Sequence, residues 1–299
     1  MRGTLYLVGT PIGNLEDITD RARRTLSEVD LVAAEDTRRT GRLLAHVGVK
    51  KPLLSLFEGN EKERIPLLLG RLREGVNVAV VSDAGMPGLS DPGYRLVAAC
   101  VEAGIPVDVV PGPSAVLSAL VVSGLPTDRF VFEGFLPRAG THRADRLRAI
   151  AGETRTVVLF ESPKRLERTL ADLLAAGGDR RIAVARELTK LHQEVLRGSL
   201  AEVAERIRGR ELKGEVALVI GGAIEAEPGE GKAFDIAAEL VSGGARKREA
   251  AREASRRTGV PAGRIYEALV SSGKTPAEGH GAEAGSSREA AGSRAESSE

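Results

Sequence analysis

Short apolar runs rich in Val, Leu and Ala alternate with stretches whose apolar residues recur every three or four positions. That alternation predicts strands followed by helices, and hence an α/β fold built on parallel pairing. Runs over 4–8, 31–34, 53–56, 76–81 and 107–110 read as strands of a first sheet, and 76–81 is apolar enough to be covered on both faces. Helices are expected over 21–29 after a Thr19 or Asp20 cap, over 65–72, around Leu96, Val97 and Cys100, and from a Ser114 cap to Val122. Gly124 to Asp128 has the composition of a linker. Beyond it, strands are expected at 130–135, 156–160, 182–185, 194–197 and 216–220, with helices at 143–151, 164–176 and 200–207. The last strands follow Arg186 too closely for every crossover to be helical, so this second sheet should be mixed. The expected organisation is therefore two α/β domains, 1–123 and 129–224, joined by a linker at 124–128, with a ligand cleft between them.

From Lys232 the pattern becomes purely helical. Phe234, Ile236, Ala237, Leu240 and Val241 share one face, and Ile265, Tyr266 and Leu269 another, which predicts a helical appendix over 232–274. Its middle segment carries Arg246, Lys247, Arg248, Arg252, Arg256 and Arg257 against Glu249 and Glu253. Such a helix suits contact with a nucleic-acid phosphate backbone, and at least as well suits a solvated face. Residues 275–299 are mostly Gly, Ala, Ser and Glu with little to bury, so a disordered tail is expected.

Composition narrows the chemistry. Net charge is +1, from 43 basic and 42 acidic residues, so any nucleic-acid contact must use a local patch. Aromatic residues make up 3% and Trp is absent, which argues against a base-stacking surface for single strands. The single Cys100 excludes an internal disulfide and reads as a small core residue. The opening apolar run is too short for a signal peptide and no stretch is long enough to span a bilayer, so a soluble cytoplasmic protein with no membrane contact is expected.

Glycine, at 35 residues, is abundant, and it concentrates with Pro and Asp where strands end. The densest such stretch is 81–93, Val-Ser-Asp-Ala-Gly-Met-Pro-Gly-Leu-Ser-Asp-Pro-Gly. Open α/β sheets bind ligands at that end of their strands, where Gly admits close backbone approach and Asp83 can accept hydrogen bonds; a rigid turn without a ligand is the alternative. The cluster Glu35-Asp36-Thr37-Arg38 marks another strand end, as part of the same crevice or as a solvated helix start. Neither a dinucleotide glycine motif, nor a phosphate-binding P-loop, nor a serine elbow occurs, and the four histidines are scattered without metal-ligand spacing.

The segments LYLVGTPIGNLEDIT (5–19), AAEDTRRTGRLL (33–44), VSDAGMPGLSDPG (81–93), VPGPSA (110–115), FVFEGFLP (130–137), FESPKRL (160–166), VARELTKLHQEV (184–195) and GEVALVIGG (214–222) resemble, in order, the tetrapyrrole methylase superfamily. They are most similar to its ribosomal RNA small subunit methyltransferase I branch, although Met86 stands where that branch usually carries Thr. The resemblance implies two α/β domains of that type and S-adenosyl-L-methionine held between them. It implies donor contacts at Pro11, Ile12, Asp83, Ala84, Gly85, Met86, Ser114, Ala115, Phe160, Glu161, Leu188, Val216 and Ala217. It also implies cytidine ribose 2′-O-methylation of small-subunit ribosomal RNA, by a homodimer acting on the small ribosomal subunit, with no metal.

A ribose hydroxyl is a poor nucleophile at neutral pH and needs a base or a neighbouring cation. Asp36, Glu187 and Lys164 are the candidates, with Arg38 and Arg186 on phosphates, and each could instead be an ordinary ion-pair partner. Competing readings are a methylase of the same fold acting on a tetrapyrrole or a protein side chain, and a ribosome-binding assembly factor without catalysis.

Overall fold

A computed structural model describes residues 2–223 and 230–271. One compact unit runs to residue 224 and a second begins at 225; the expected tail at 275–299 lies outside the described residues.

The first half of the larger unit is a five-stranded sheet in the order β3-β2-β4-β1-β5. Its strands are β1 (Leu5–Val8), β2 (Leu31–Ala34), β3 (Leu53–Ser55), β4 (Val78–Val81) and β5 (Val107–Val110), all parallel. Every residue of β4 is buried, as its unbroken apolar run requires. Between the strands run α1 (Asp20–Glu28), α2 (Thr37–His46), α3 (Glu61–Arg73) and α4 (Tyr94–Glu102). Thr19 caps α1 and Asp36 caps α2, each accepting a first-turn backbone N–H. Helix α3 begins a turn before the expected start because Glu61 is buried and accepts the Gly93 N–H, a tertiary contact that local periodicity does not announce. Cys100 is fully buried on α4, and burial pushes its thiol up to about 11.

Helix α5 (Ala115–Ser123) leaves the end of β5 and packs on the second sheet. That sheet has the order β6-β7-β10-β8-β9, from β6 (Phe130–Phe135), β7 (Thr156–Glu161), β8 (Arg181–Arg186), β9 (Glu194–Ser199) and β10 (Val216–Ile220). It is mixed: β6 and β7 are parallel, whereas β10 runs antiparallel to both its neighbours and β9 to β8. Helices α6 (Thr141–Gly152), α7 (Pro163–Gly177) and α8 (Leu200–Ile207) cover one face, and α5 the other. The α5 sequence is apolar all round, so it can bury more than one side. Ala183, Ala185 and Ala217 keep the facing sheet low where Val116, Ala119 and Leu120 dock.

The second unit contains α9 (Glu230–Ser242), α10 (Lys247–Thr258) and α11 (Ala262–Ser271) around a core of Ala233, Ala237, Ala250, Ala254, Ile265 and Leu269. Among the described residues no helix is long and apolar enough to cross a membrane.

Candidate active site

Parallel strands deliver their C-terminal ends to one edge of the first sheet, and there the loops after β1, β4 and β5 meet. Thr10 and Gly85 exchange both backbone hydrogen bonds, at 2.9 and 3.1 Å, tying the first loop to the central one. Gly85 takes φ +85 there, a conformation that Gly adopts without strain. Gly9 and Gly112 touch backbone to backbone; a Cβ on Gly9 would lie 2.7 Å from the Cα of Gly112, so a side chain would force the loops apart.

The second sheet brings its residues to the same place through register. Because β10 is antiparallel to β7 and β8, Val216 sits opposite Glu161 on one side and Arg186 on the other, and Ala217 opposite Phe160 and Ala185. Six residues from three strands thus converge. Phe160 is fixed by edge and tilted contacts with Phe132 and Phe135, at 5.1 and 5.5 Å between ring centres. The loop after β8 reaches back to the first half: the Asn14 N–H donates to Thr189 Oγ1 at 3.1 Å.

Between these loops lies a cavity of about 340 Å³. Of the residues expected to touch a methyl donor, Ile12, Ala84, Gly85, Met86, Ser114, Ala115, Phe160, Glu161, Leu188, Val216 and Ala217 line it. Pro11 and Asp83 instead line an adjoining cavity of about 260 Å³, together with Thr10, Leu15, Arg39, Arg42 and Leu43. Asp83 Oδ1 accepts the Asp36 N–H at 3.0 Å and Oδ2 pairs with Arg39 at 3.3 Å, so its carboxylate ties the central loop to the start of α2. Among the described residues the non-glycine positions with positive φ are Ser90, Glu187 and Thr189; Ser90 lines the larger cavity, and the other two flank Leu188, which does, where such backbone strain commonly serves a ligand site.

The proposed bases lie elsewhere. Asp36 caps α2 and pairs with Arg38 at 3.2 Å; hydrogen bonds from that residue's side chain and amide hold its carboxyl below the ordinary range. Burial pushes the Glu187 carboxyl up, but hydrogen bonds from Lys190 and the Glu215 amide outweigh it and leave it lowered. Lys164 is exposed in the first turn of α7. Among the expected phosphate contacts, Arg38 is engaged by Asp36, and Arg186 by Glu194 and the Lys213 carbonyl, both at 3.2 Å. In the second unit Lys247 donates to the Leu269 carbonyl and Arg248 stacks over Tyr266 at 5.8 Å, while Arg246 and Arg252 are exposed.

Other lining residues carry no individual sequence signal. Asp91, Ser90 and Leu89 belong to the 81–93 loop and face the larger cavity, as does Phe135, and composition alone does not say which side chains of a loop point inward. Arg39 and Arg42 could have been suspected, since a spacing of three on a helix places two cations on one face. Burial pushes Asp91 up to about 7, and the Glu35 and Asp83 charges add to the shift while the Ser82 hydroxyl opposes it. Glu35 is raised mainly by burial as well.

Comparison with known proteins places this architecture. Residues 4–204 match the family model of tetrapyrrole (corrin/porphyrin) methylases. This chain belongs to the tetrapyrrole methylase family. Within it the chain falls in the ribosomal RNA small subunit methyltransferase I branch: it is 56% identical to the Thermotoga maritima protein of that name, over 74% of this chain and 99% of the relative. It is 47% identical to the Synechocystis protein of the same name, over 89% and 96%. The same fold occurs in uroporphyrin-III C-methyltransferase from Thermus thermophilus, crystallised with S-adenosylhomocysteine. That structure aligns with a TM-score of 0.53 at 27% identity, over 73% of this methylase and 97% of the neighbour.

Proposed function

We propose that this chain transfers the methyl group of S-adenosylmethionine to the 2′-hydroxyl of a cytidine ribose in small-subunit ribosomal RNA. The observation that carries the reading is the match along 99% of a relative named for methylating that RNA. The larger cavity suits the donor on chemical grounds. Ile12, Met86, Phe160 and Leu188 would cover an adenine ring, while the first-turn amides of α5 and the backbone of Ala84 and Gly85 offer partners for its polar groups. Bound there, the donor supplies an electrophilic methyl on a sulfonium. What remains for the protein is to align the acceptor and manage its proton.

The smaller cavity suits the acceptor strand. Arg39 and Arg42 would meet a phosphodiester, with Pro11, Leu15 and Leu43 as an apolar floor. Arg246 and Arg252 are further cations for the RNA backbone. The reading includes action in the cytoplasm on the small ribosomal subunit, by a homodimer. In support of a dimer, Leu117 and Val121, one turn apart on α5, are 52% and 69% exposed. Light scattering at about twice the chain mass of 31.5 kDa tests that part.

The central test incubates the protein with isotopically labelled donor and unmodified small subunits, digests the RNA and separates the nucleosides by mass spectrometry. Labelled 2′-O-methylcytidine is the expected product. Label in another nucleoside, or none with either subunits or free RNA, would remove the reading.

A further inference from the structure

The larger cavity contains no His, Lys, Tyr or Cys side chain, so a proton acceptor supplied by its wall must be one of three carboxylates: Asp91, Glu161 or Glu215. Glu161 is fully occupied. Its Oε1 accepts the Ser162 N–H at 2.8 Å and faces Arg165 at 3.2 Å, and its Oε2 accepts the Thr169 hydroxyl at 2.6 Å. Those bonds fasten the end of β7 to α7, a structural task that engages both carboxylate oxygens. Glu215 stands toward solvent, with its side chain 62% exposed, and is paired with the Lys190 ammonium at 3.1 Å. Asp91 alone has no cationic partner among the described residues and is partly buried in the cavity wall, beside Ser90 with its strained φ of 63.

Resting on the ribose-methylation reading above, we propose that the Asp91 carboxylate is the general base of the transfer, receiving the proton of the acceptor hydroxyl inside the larger cavity. The step balances without any further reactant. The ribose oxygen forms a bond to the methyl carbon as the carbon–sulfur bond breaks, the bonding pair remains on sulfur as a neutral thioether, and the hydroxyl proton passes to Asp91 and then to water. Groups around Asp91 suit this role. Glu35 at the end of β2 and Asp83 at the end of β4 bring like charge, Ser82 brings a hydroxyl, and Arg39, the cation that acts on Glu35, is engaged by Asp83. On the far side of the loop, Glu61 of α3 accepts the Gly93 N–H and faces Arg95 at 3.7 Å. A carboxyl held near 7 accepts a proton near neutral pH far better than an ordinary aspartate.

The test compares the wild type with Asp91→Asn and Asp91→Glu. With saturating labelled donor and small subunits, Asp91→Asn should lose about 10²- to 10⁴-fold in kcat, while calorimetry gives a donor Kd within about threefold of wild type. Asp91→Glu, which keeps a carboxylate, should recover part of the rate. The wild-type kcat should rise with pH through about 7 and then level, and that limb should vanish in Asp91→Asn. Independently of turnover, carbon-13 aspartate spectra of the ligand-free protein should show one carboxyl titrating near 7 that is missing in Asp91→Asn. An Asp91→Asn enzyme within twofold of the wild-type kcat, or one defective in donor affinity alone, would overturn the assignment while leaving the methyltransferase reading intact. A wild type that labels no RNA would overturn both.

Discussion

Asp91 and Asp83 are eight positions apart in one loop and are set to opposite tasks by their surroundings. Asp83 gives both oxygens to α2, one to a backbone N–H and one to Arg39. Asp83→Ala therefore removes two ties between the central loop and the start of α2, and should cost about 1–3 kcal/mol of stability. It should also weaken donor binding by about tenfold or more in calorimetry, because the same loop presents Ala84, Gly85 and Met86 to the larger cavity. Asp91 lacks such ties and is raised by burial to about 7. The native state therefore holds a proton there that the unfolded chain releases near 4, so folding is penalised as pH rises from about 4 through 7. Asp91→Asn should thus be more stable than wild type at pH 8, by about 1–2 kcal/mol after solvent screening. The difference should vanish toward pH 4, which melting curves at the two pH values would show.

At the scale of elements, α5 joins the halves of the larger unit. It starts at the first sheet, places Ser114, Ala115 and Val116 on the cavity, and rests on the second sheet over alanines. Arg197 of β9 adds hydrogen bonds to the Val122 carbonyl at the helix end. A helix seated over small residues tolerates no added volume, so Ala119→Leu should cost about 1–3 kcal/mol. It should raise the donor Kd as well, since lifting α5 moves the cavity wall. Chemical denaturation together with calorimetry checks both. On the other face, buried Arg143 pairs with Asp172 at 2.8 Å and donates to Thr169, which in turn donates to Glu161. The acid on the cavity wall is thereby anchored from behind.

For the whole molecule, near-zero net charge means that RNA binding must depend on position rather than on bulk attraction. Arg42 lies in the smaller cavity with no ion pair among the described residues. Arg42→Gln should therefore reduce the salt dependence of RNA binding by about one phosphate contact and raise the KM for subunits, with donor affinity unchanged. A charge-matched Arg24→Gln on α1, outside both cavities, should change the KM far less. Filter binding across a salt series separates the two.

Most strands and helices were legible in the chain because each is announced locally, by an apolar run, a cap or a glycine. The α/β class, the mixed second sheet and the basic helix follow from those signals and from connection lengths. The eight motifs likewise pointed to loops that line the cavity. Tertiary structure decided what local pattern does not encode. Antiparallel register set Val216 and Ala217 beside Phe160, and a buried Glu61 began α3 early. Rotation of α2 turned Arg39 and Arg42, rather than Arg38, to the smaller cavity. Above all, Asp36, Glu187 and Asp91 are equivalent carboxylates in sequence, and only three-dimensional placement supplied two of them with cations and left the third in a cavity wall. Basicity is a property of surroundings, and those surroundings come from distant parts of the chain.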